Sequence, residues 1–102
     1  MHIYNVTINI EEEIHASWLH WMKTEHIPAM LATGKFRKAV LCKVLMNEET
    51  GGITYAVQYT TDSLETLQKY YAEDAEALRS QSRLFEGKFV AFRTELEVIA
   101  EL

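Results

Sequence analysis

The chain has 102 residues, of which 48% are hydrophobic, a size and composition typical of one folded domain spanning residues 1–102 rather than of a disordered chain. Fifteen acidic residues against ten basic ones give a net charge of −5. We therefore expect neither a nucleic-acid partner nor an anionic membrane surface, because both bind clustered lysines and arginines. The local basic cluster of Lys35, Arg37 and Lys38 is too small to change this.

Cys42 is the only cysteine, so it cannot form an intrachain disulfide. We expect it to be a small buried hydrophobic residue rather than a reactive thiol. The N-terminal segment lacks the basic start and the continuous apolar run of a signal peptide. No segment approaches the roughly twenty apolar residues of a membrane span. These features predict a cytoplasmic protein.

The first predicted element is a strand over residues 2–10, where apolar and polar residues alternate and β-branched residues are frequent. Asn9 and Glu12 have the spacing of a capping box, in which the Asn side chain accepts a free amide and the Glu reaches back. This pattern predicts that a helix begins there.

The first helix has a run of apolar residues at helical spacing: Ile14, Trp18, Trp21 and Met22. Pro28 lacks the amide that would bond four residues back, and its ring clashes with that turn. We therefore expect the helix to kink or restart near residues 25–27. Gly34 should end the element, because glycine adopts the left-handed conformation without a Cβ penalty.

Two further strands are predicted at residues 36–46 and 53–60, joined by a hairpin loop at residues 47–52 whose glycines permit positive φ. Asp62 and Glu65 then form a second capping-box pattern. The helix that follows is expected to bury one apolar stripe: Leu64, Leu67, Tyr71, Ala75 and Leu78. A polar turn ends at Gly87, and residues 88–99 should form the last strand.

This βαββαβ order predicts an α+β ferredoxin-like fold, an antiparallel four-stranded sheet with two helices on one face and strand order 4-1-3-2. The helices should cover one set of strand residues: Tyr4, Val6, Ile8, Tyr55, Val57 and Tyr59. The opposite face should carry the other parity, together with residues of the last strand: Asn5, Thr7, Gln58 and Thr60. Because that face lacks a cover, we expect a homodimer.

A family resemblance is visible in three segments. Residues 18–36 (WLHWMKTEHIPAMLATGKF) combine an aromatic helix with Glu-His-Ile-Pro, and residues 52–60 (GITYAVQYT) and 88–98 (KFVAFRTELEV) continue the pattern. Together they resemble a family of short bacterial proteins of unknown function within the dimeric α/β-barrel superfamily. The resemblance covers nearly the whole chain and implies that fold and a dimer, but no established activity.

The superfamily also includes cofactor-independent monooxygenases, muconolactone-isomerase-like enzymes and haem-degrading enzymes, and the fold does not choose among them. The haem-degrading branch resembles this chain only at a first-strand Asn, here Asn5. Its haem-ligating histidine lies on the second helix, whereas residues 62–84 contain none. The sequence therefore argues against that branch.

Glu25 and His26 are the candidate catalytic pair. At about 100° per residue Glu25 projects between Trp18 and Trp21, where burial would raise the pKa of a carboxylate and suit it to acid–base catalysis. His26 lies at the edge of the same stripe. The alternative is that the helix ends here, so that Glu25 lies in solvent and His26 bonds a free carbonyl.

Arg93 is a candidate ligand-binding residue in the last strand. If the side of the strand that carries Arg93 faces the sheet of a partner subunit, Arg93 could bind a carboxylate together with Asn5 and Gln58 inside the barrel. The alternative is a cross-strand or intersubunit ion pair, for example with Glu95 or Glu97.

The aromatic residues allow two interpretations. Tyr4, Tyr55 and Tyr59 could line a pocket beneath the helices or belong to the core with bonded hydroxyls, and the same choice applies to Trp18 and Trp21. The histidines include no pair four residues apart, so we expect no metal site.

Two functions remain open. The first is a non-catalytic homodimeric module that binds a small molecule or serves in assembly. The second is a cofactor-independent monooxygenase- or isomerase-like enzyme, with a pocket between the first helix and the sheet around Trp21, Glu25, His26 and Tyr55. The sequence has no nucleophile–base pair, phosphate loop or metal set, so we prefer the first function and expect no cofactor.

Overall fold

The computed structural model describes residues 1–45 and 51–102. Within them, one antiparallel sheet runs in the order β2-β3-β1-β4. Its strands are β1 (His2–Ile10), β2 (Lys38–Lys43), β3 (Ile53–Thr61) and β4 (Phe89–Glu97). This order confirms the predicted topology.

Two helical connections pack on one face of the sheet. The first connection contains a 3₁₀ turn (Glu12–Ile14), α1 (His15–Trp21), a π-helical segment (Met22–His26) and α2 (Ile27–Ala32). The second contains α3 (Leu64–Glu73), α4 (Ala75–Ser80) and a 3₁₀ segment (Gln81–Phe85). The predicted ferredoxin-like architecture is therefore confirmed.

The core lies between the helices and alternate residues of β1 and β3. Residues directly opposite in antiparallel strands share a face, and the register pairs Tyr4 with Tyr59 and Val6 with Val57. The six strand residues that the sequence analysis assigned to this face are all buried: Tyr4, Val6, Ile8, Tyr55, Val57 and Tyr59. That prediction is confirmed.

The opposite side, which we call the open sheet face, has no covering element among the described residues. The register places 15 residues there: Ile3, Asn5, Thr7, Asn9, Lys38, Val40, Cys42, Thr54, Ala56, Gln58, Thr60, Val90, Phe92, Thr94 and Leu96. Val90 and Phe92 are 71% and 61% exposed, whereas Thr60 at the sheet end is buried. Cys42 is exposed, so the expectation of a buried cysteine is wrong: strand parity turns it away from the core.

The first helix starts without the predicted side-chain cap. Asn9 belongs to β1, where its amide donates to Thr54 Oγ1 at 3.0 Å and to the Gly51 carbonyl at 3.4 Å. Since its side chain is held by the neighbouring strand, Asn9 does not cap the helix, and α1 follows Ile14 with no side-chain cap bond. The capping-box interpretation of Asn9 and Glu12 is wrong.

The predicted break before Pro28 is present as a change of hydrogen bonding. The Ile27 amide bonds the Met22 carbonyl five residues back, which defines a π-helical turn. Pro28 then lies in the first turn of α2, where a missing amide is tolerated. Gly34 adopts φ +78° beyond the end of α2, as expected for a helix terminus.

The second connection differs from the prediction in its cap and its phase. Ser63, not Asp62, caps α3 by accepting a bond from the Thr66 amide at 3.1 Å, while Asp62 pairs with Arg37. A break at Asp74, with φ −125°, separates α3 from α4.

The break changes which residues of α3 are buried. In one continuous helix Leu64 and Tyr71 would share the stripe of Ala75 and Leu78, but α3 and α4 orient separately. Tyr70 is buried instead, so the predicted burial of Leu64 and Tyr71 is wrong.

The hairpin between β2 and β3 falls partly outside the described residues, since 46–50 are not among them. Gly51 and Gly52 have the positive φ predicted for this loop, +83° and +79°. A Cβ at Gly52 would also lie 2.5 Å from Asn9 Oδ1, so only glycine fits there. β2 and β4 are both shorter than predicted, and Phe36, expected in β2, is a core residue.

Candidate functional site

A cavity lies where the first helix changes its hydrogen bonding, between the π-helical segment and the sheet. Its volume is about 50 Å³. Most of its wall is apolar or aromatic: Tyr4, Val6, Ile8, Trp18, Trp21, Met22, Met30, Val57, Tyr59, Tyr70, Phe89 and Ala91. The other lining residues are His26, Arg79, Ser82 and Arg93. An apolar and aromatic wall with a few polar groups is the usual lining of a site for a small molecule with an apolar body.

The π-helical segment places His26 in the cavity wall. In a regular α-helix, residues five apart point about 140° away from each other. The five-residue turn brings them together, so the His26 ring stacks on Trp21 with centroids 4.8 Å apart and planes 20° apart. The predicted neighbours Trp21 and His26 therefore both line the cavity.

The same turn removes Glu25 from the site. The π segment holds one residue more than an α-helical turn, so His26 occupies the position in the apolar stripe that a uniform helix gives to Glu25. Glu25 is exposed and does not line the cavity. The expectation that a buried Glu25 lines the pocket is wrong.

His26 is neutral at physiological pH because its surroundings disfavour the imidazolium. Burial, together with the positive charge of Arg93, lowers its pKa from 6.5 to about 4. Its Nδ1 is buried and has no hydrogen-bond partner among the described residues. His26 thus adds a polar but uncharged group to the wall.

Tyrosines from the sheet and from α3 form a further part of the cavity wall. The Tyr4 ring lies 6.1 Å from Tyr59 and 5.4 Å from Tyr70. Burial raises the pKa values of Tyr59 and Tyr70, so both hydroxyls stay protonated. The Tyr70 hydroxyl donates to Met30 Sδ at 3.4 Å, and Tyr4 Oη accepts from Arg79 at 3.1 Å.

Tyr55 was expected in this pocket but lies beside it. Its hydroxyl is 2.6 Å from His15 Nε2, and the two rings are stacked with centroids 5.6 Å apart. The Trp18 ring, 5.2 Å away, lies next to it and does line the cavity. Tyr55 therefore supports the wall from behind, and its assignment as a pocket residue is wrong.

Arg93 is not on the same side of the sheet as Asn5 and Gln58. The register sets Arg93 opposite Val6, on the helix-covered face, whereas Asn5 and Gln58 pair with each other on the open sheet face. The proposed grouping of these three residues is wrong, because the register of β4 against β1 puts Arg93 on the same side of the sheet as the buried Val6. Arg93 instead lines the cavity.

Besides the apolar residues Met30, Phe89 and Ala91, the sequence analysis missed three lining residues with polar groups: Tyr70, Arg79 and Ser82. All three come from the second helical connection. Their direction depends on the break at Asp74 and on the 3₁₀ segment that follows α4. The available signal was Arg79 beside the apolar Leu78, a cation at the edge of a stripe that faces the sheet.

Within residues 1–45 and 51–102, no group of three or more His, Cys, Asp or Glu side chains could hold a metal ion. No helix in the same part of the chain has the length and the apolar character needed to cross a membrane.

Solved structures with the same architecture define the class of fold. A Bacillus halodurans C-125 protein of the ethyl tert-butyl ether d (ethd) family is similar at 15% identity and TM-score 0.72, over 97% of this chain and all of that one. A dimeric ferredoxin-like protein from an uncultured marine organism is similar at 18% identity and TM-score 0.70, over 100% and 98%. A Deinococcus radiodurans protein, provisionally described as an antibiotic biosynthesis monooxygenase, is similar at 14% identity and TM-score 0.61, over 100% and 96%. These likenesses establish a ferredoxin-like fold and no activity.

The chain belongs to the family described as Domain of unknown function (DUF4286), whose model matches residues 1–99. This confirms the resemblance to a family without an assigned activity. No functionally curated protein matches the chain.

Proposed function

We propose that this protein is a homodimeric small-molecule-binding protein, one folding unit over residues 1–102, acting in the cytoplasm. Its ligand occupies the cavity between the π-helical segment and the sheet. The observation that carries the proposal is this cavity: an apolar, aromatic space with a few polar groups, the usual composition of a small-molecule site. π-helical turns within α-helices are frequent at functional sites, which supports the same location.

An enzyme of the cofactor-independent type is the weaker candidate. It requires an acid–base pair at the cavity, and of the proposed pair only His26 lines it. No described carboxylate takes the place of Glu25 in the wall. Binding without chemistry therefore accounts better for the residues present.

Binding can be tested with small neutral and anionic aromatic compounds. We expect a saturable change in tryptophan fluorescence, because Trp18 and Trp21 both line the cavity. Ala91→Phe fills the cavity from the sheet side and should abolish the change. Ala77→Phe adds the same ring on the exposed side of α4 and should leave it intact. If no compound gives a saturable change, or Ala91→Phe binds like wild type, the proposal is wrong.

A homodimer accounts for the open sheet face. Val40, Val90 and Phe92 are large apolar residues on this face and are exposed in the single chain. Structures with the same fold are described as dimeric, including the marine protein above. We expect sedimentation to show a dimer at tens of micromolar protein, with an interface of about 1,200–2,000 Å². A monomer at that concentration would contradict the dimer.

A further inference from the structure

Two arginines line the cavity from different elements. Arg79 comes from α4, on the helical side, and Arg93 comes from β4, on the edge strand of the sheet. Both arginines are exposed to solvent, so we place them at the opening of the cavity. The cavity therefore has an apolar interior and a cationic opening.

Neither arginine is neutralised within the described part of the chain. Three cations of the described part have carboxylate partners: Lys35 with Asp74, Arg37 with Asp62 and Lys88 with Glu13. The described ion pairs include no contact of Arg79 or Arg93. What distinguishes these two arginines from other unpaired cations is that both line the cavity.

The polar neighbours of the two arginines leave their charge uncompensated. Arg79 donates to the neutral Tyr4 hydroxyl at 3.1 Å. Glu95, two residues from Arg93 on the same strand face, accepts a bond from the Tyr71 hydroxyl at 3.0 Å instead. An anion at the opening would supply the negative charge that the described residues do not place there. Guanidinium groups bind carboxylates through strong charge-assisted hydrogen bonds.

We infer that the ligand is a small carboxylate with an apolar or aromatic body. The body lies against Trp21 and the apolar wall, and the carboxylate lies at the opening, with Arg79 and Arg93. This inference rests on the proposed small-molecule function and names the class of ligand.

The test compares benzoate with benzamide, which has nearly the same shape but no charge, using the full chain and calorimetric titration. We expect benzoate to bind at least about tenfold more tightly, the ratio that corresponds to about 1.4 kcal/mol from one charge-assisted bond. Arg93→Gln should remove most of this preference, whereas Arg93→Lys, which keeps the charge, should retain much of it. Arg83→Gln is the matched control, because Arg83 is exposed and lies outside the cavity.

The outcomes separate the inference from the function on which it rests. Equal affinity for benzoate and benzamide would overturn the carboxylate preference but leave a small-molecule site. Binding of neither compound would contradict both. Tight benzoate binding that Arg93→Gln and Arg79→Gln leave unchanged would show that another site holds the carboxylate, and would overturn the inference.

Discussion

At the scale of single residues, His26 links the cavity to the stability of the fold. Its pKa is about 4 in the folded protein and 6.5 for an unperturbed imidazole. Between about pH 6.5 and pH 4 the unfolded chain binds a proton that the folded chain does not. The contribution of neutral His26 to stability is therefore complete above pH 6.5 and is lost as the pH falls through 4.

This predicts a pH-dependent stability that one substitution removes. Between pH 7 and pH 4, the free energy of unfolding of the wild type should fall by about 3 kcal/mol more than that of His26→Gln. Denaturant unfolding at a series of pH values measures both, and the carboxylates common to the two proteins cancel in the difference. His20→Gln, at an exposed position of α1, should follow the wild-type curve. Parallel curves for the wild type and His26→Gln would exclude this role.

At the scale of elements, the strands could be predicted and the details of the helices could not. Successive side chains of a strand point to opposite faces of the sheet, and only one face is covered by helices. The position of Tyr4 or Val57 in this alternation therefore determines that it is buried. A π turn adds one residue to a helix and has no sequence pattern of its own. Here only Pro28 indicated where the helix would be interrupted. Because of that single residue, His26 rather than Glu25 lies in the cavity wall. Because of the break at Asp74, Tyr70 rather than Tyr71 is buried. Both of these errors lie at the cavity, since His26 and Tyr70 line it.

The π-helical segment should tolerate loss of its extra residue once Pro28 is replaced. Deleting Lys23, an exposed residue, restores a continuous α-helix without turning Trp21 or Met30 from the core. In that helix Pro28 becomes interior and costs about 3 kcal/mol. The deletion should thus be about 3 kcal/mol less destabilising in a Pro28→Ala background, measured by denaturant unfolding of the four proteins.

The matched control is deletion of His20 within α1. It shortens the helix by the same amount but moves Trp18 and Trp21 out of phase with each other, so we expect failure to fold in either background. If the Lys23 deletion and Pro28→Ala have simply additive effects, the proline does not maintain the π turn.

At the scale of the whole molecule, the sheet has one face inside the domain and one face exposed. Phe92 lies on the open sheet face, near the middle of the edge strand β4 and opposite Thr7 of β1. The sequence indicated this face through parity alone. It could not place Arg93, whose side follows from the pairing of β4 with β1 over a long separation in the chain.

Phe92→Glu should convert the proposed dimer into a folded monomer. A charge buried in an apolar interface is desolvated without a partner on association, which disfavours the dimer. Leu84→Glu is the control, because Leu84 is 64% exposed against 61% for Phe92 but lies in the 3₁₀ segment on the helical side. Sedimentation should show a monomer for the first variant and a dimer for the second. A dimeric Phe92→Glu protein with unchanged affinity would place the interface elsewhere.

The cavity is not separate from the hydrophobic core, since Tyr4, Trp18 and Val57 belong to both. A molecule bound there would complete the packing of the folded chain and would be released on unfolding. By mass action, the concentration of this ligand would then determine what fraction of the protein is unfolded. Because cellular proteases act on the open form, the abundance of the protein would rise and fall with the supply of its ligand.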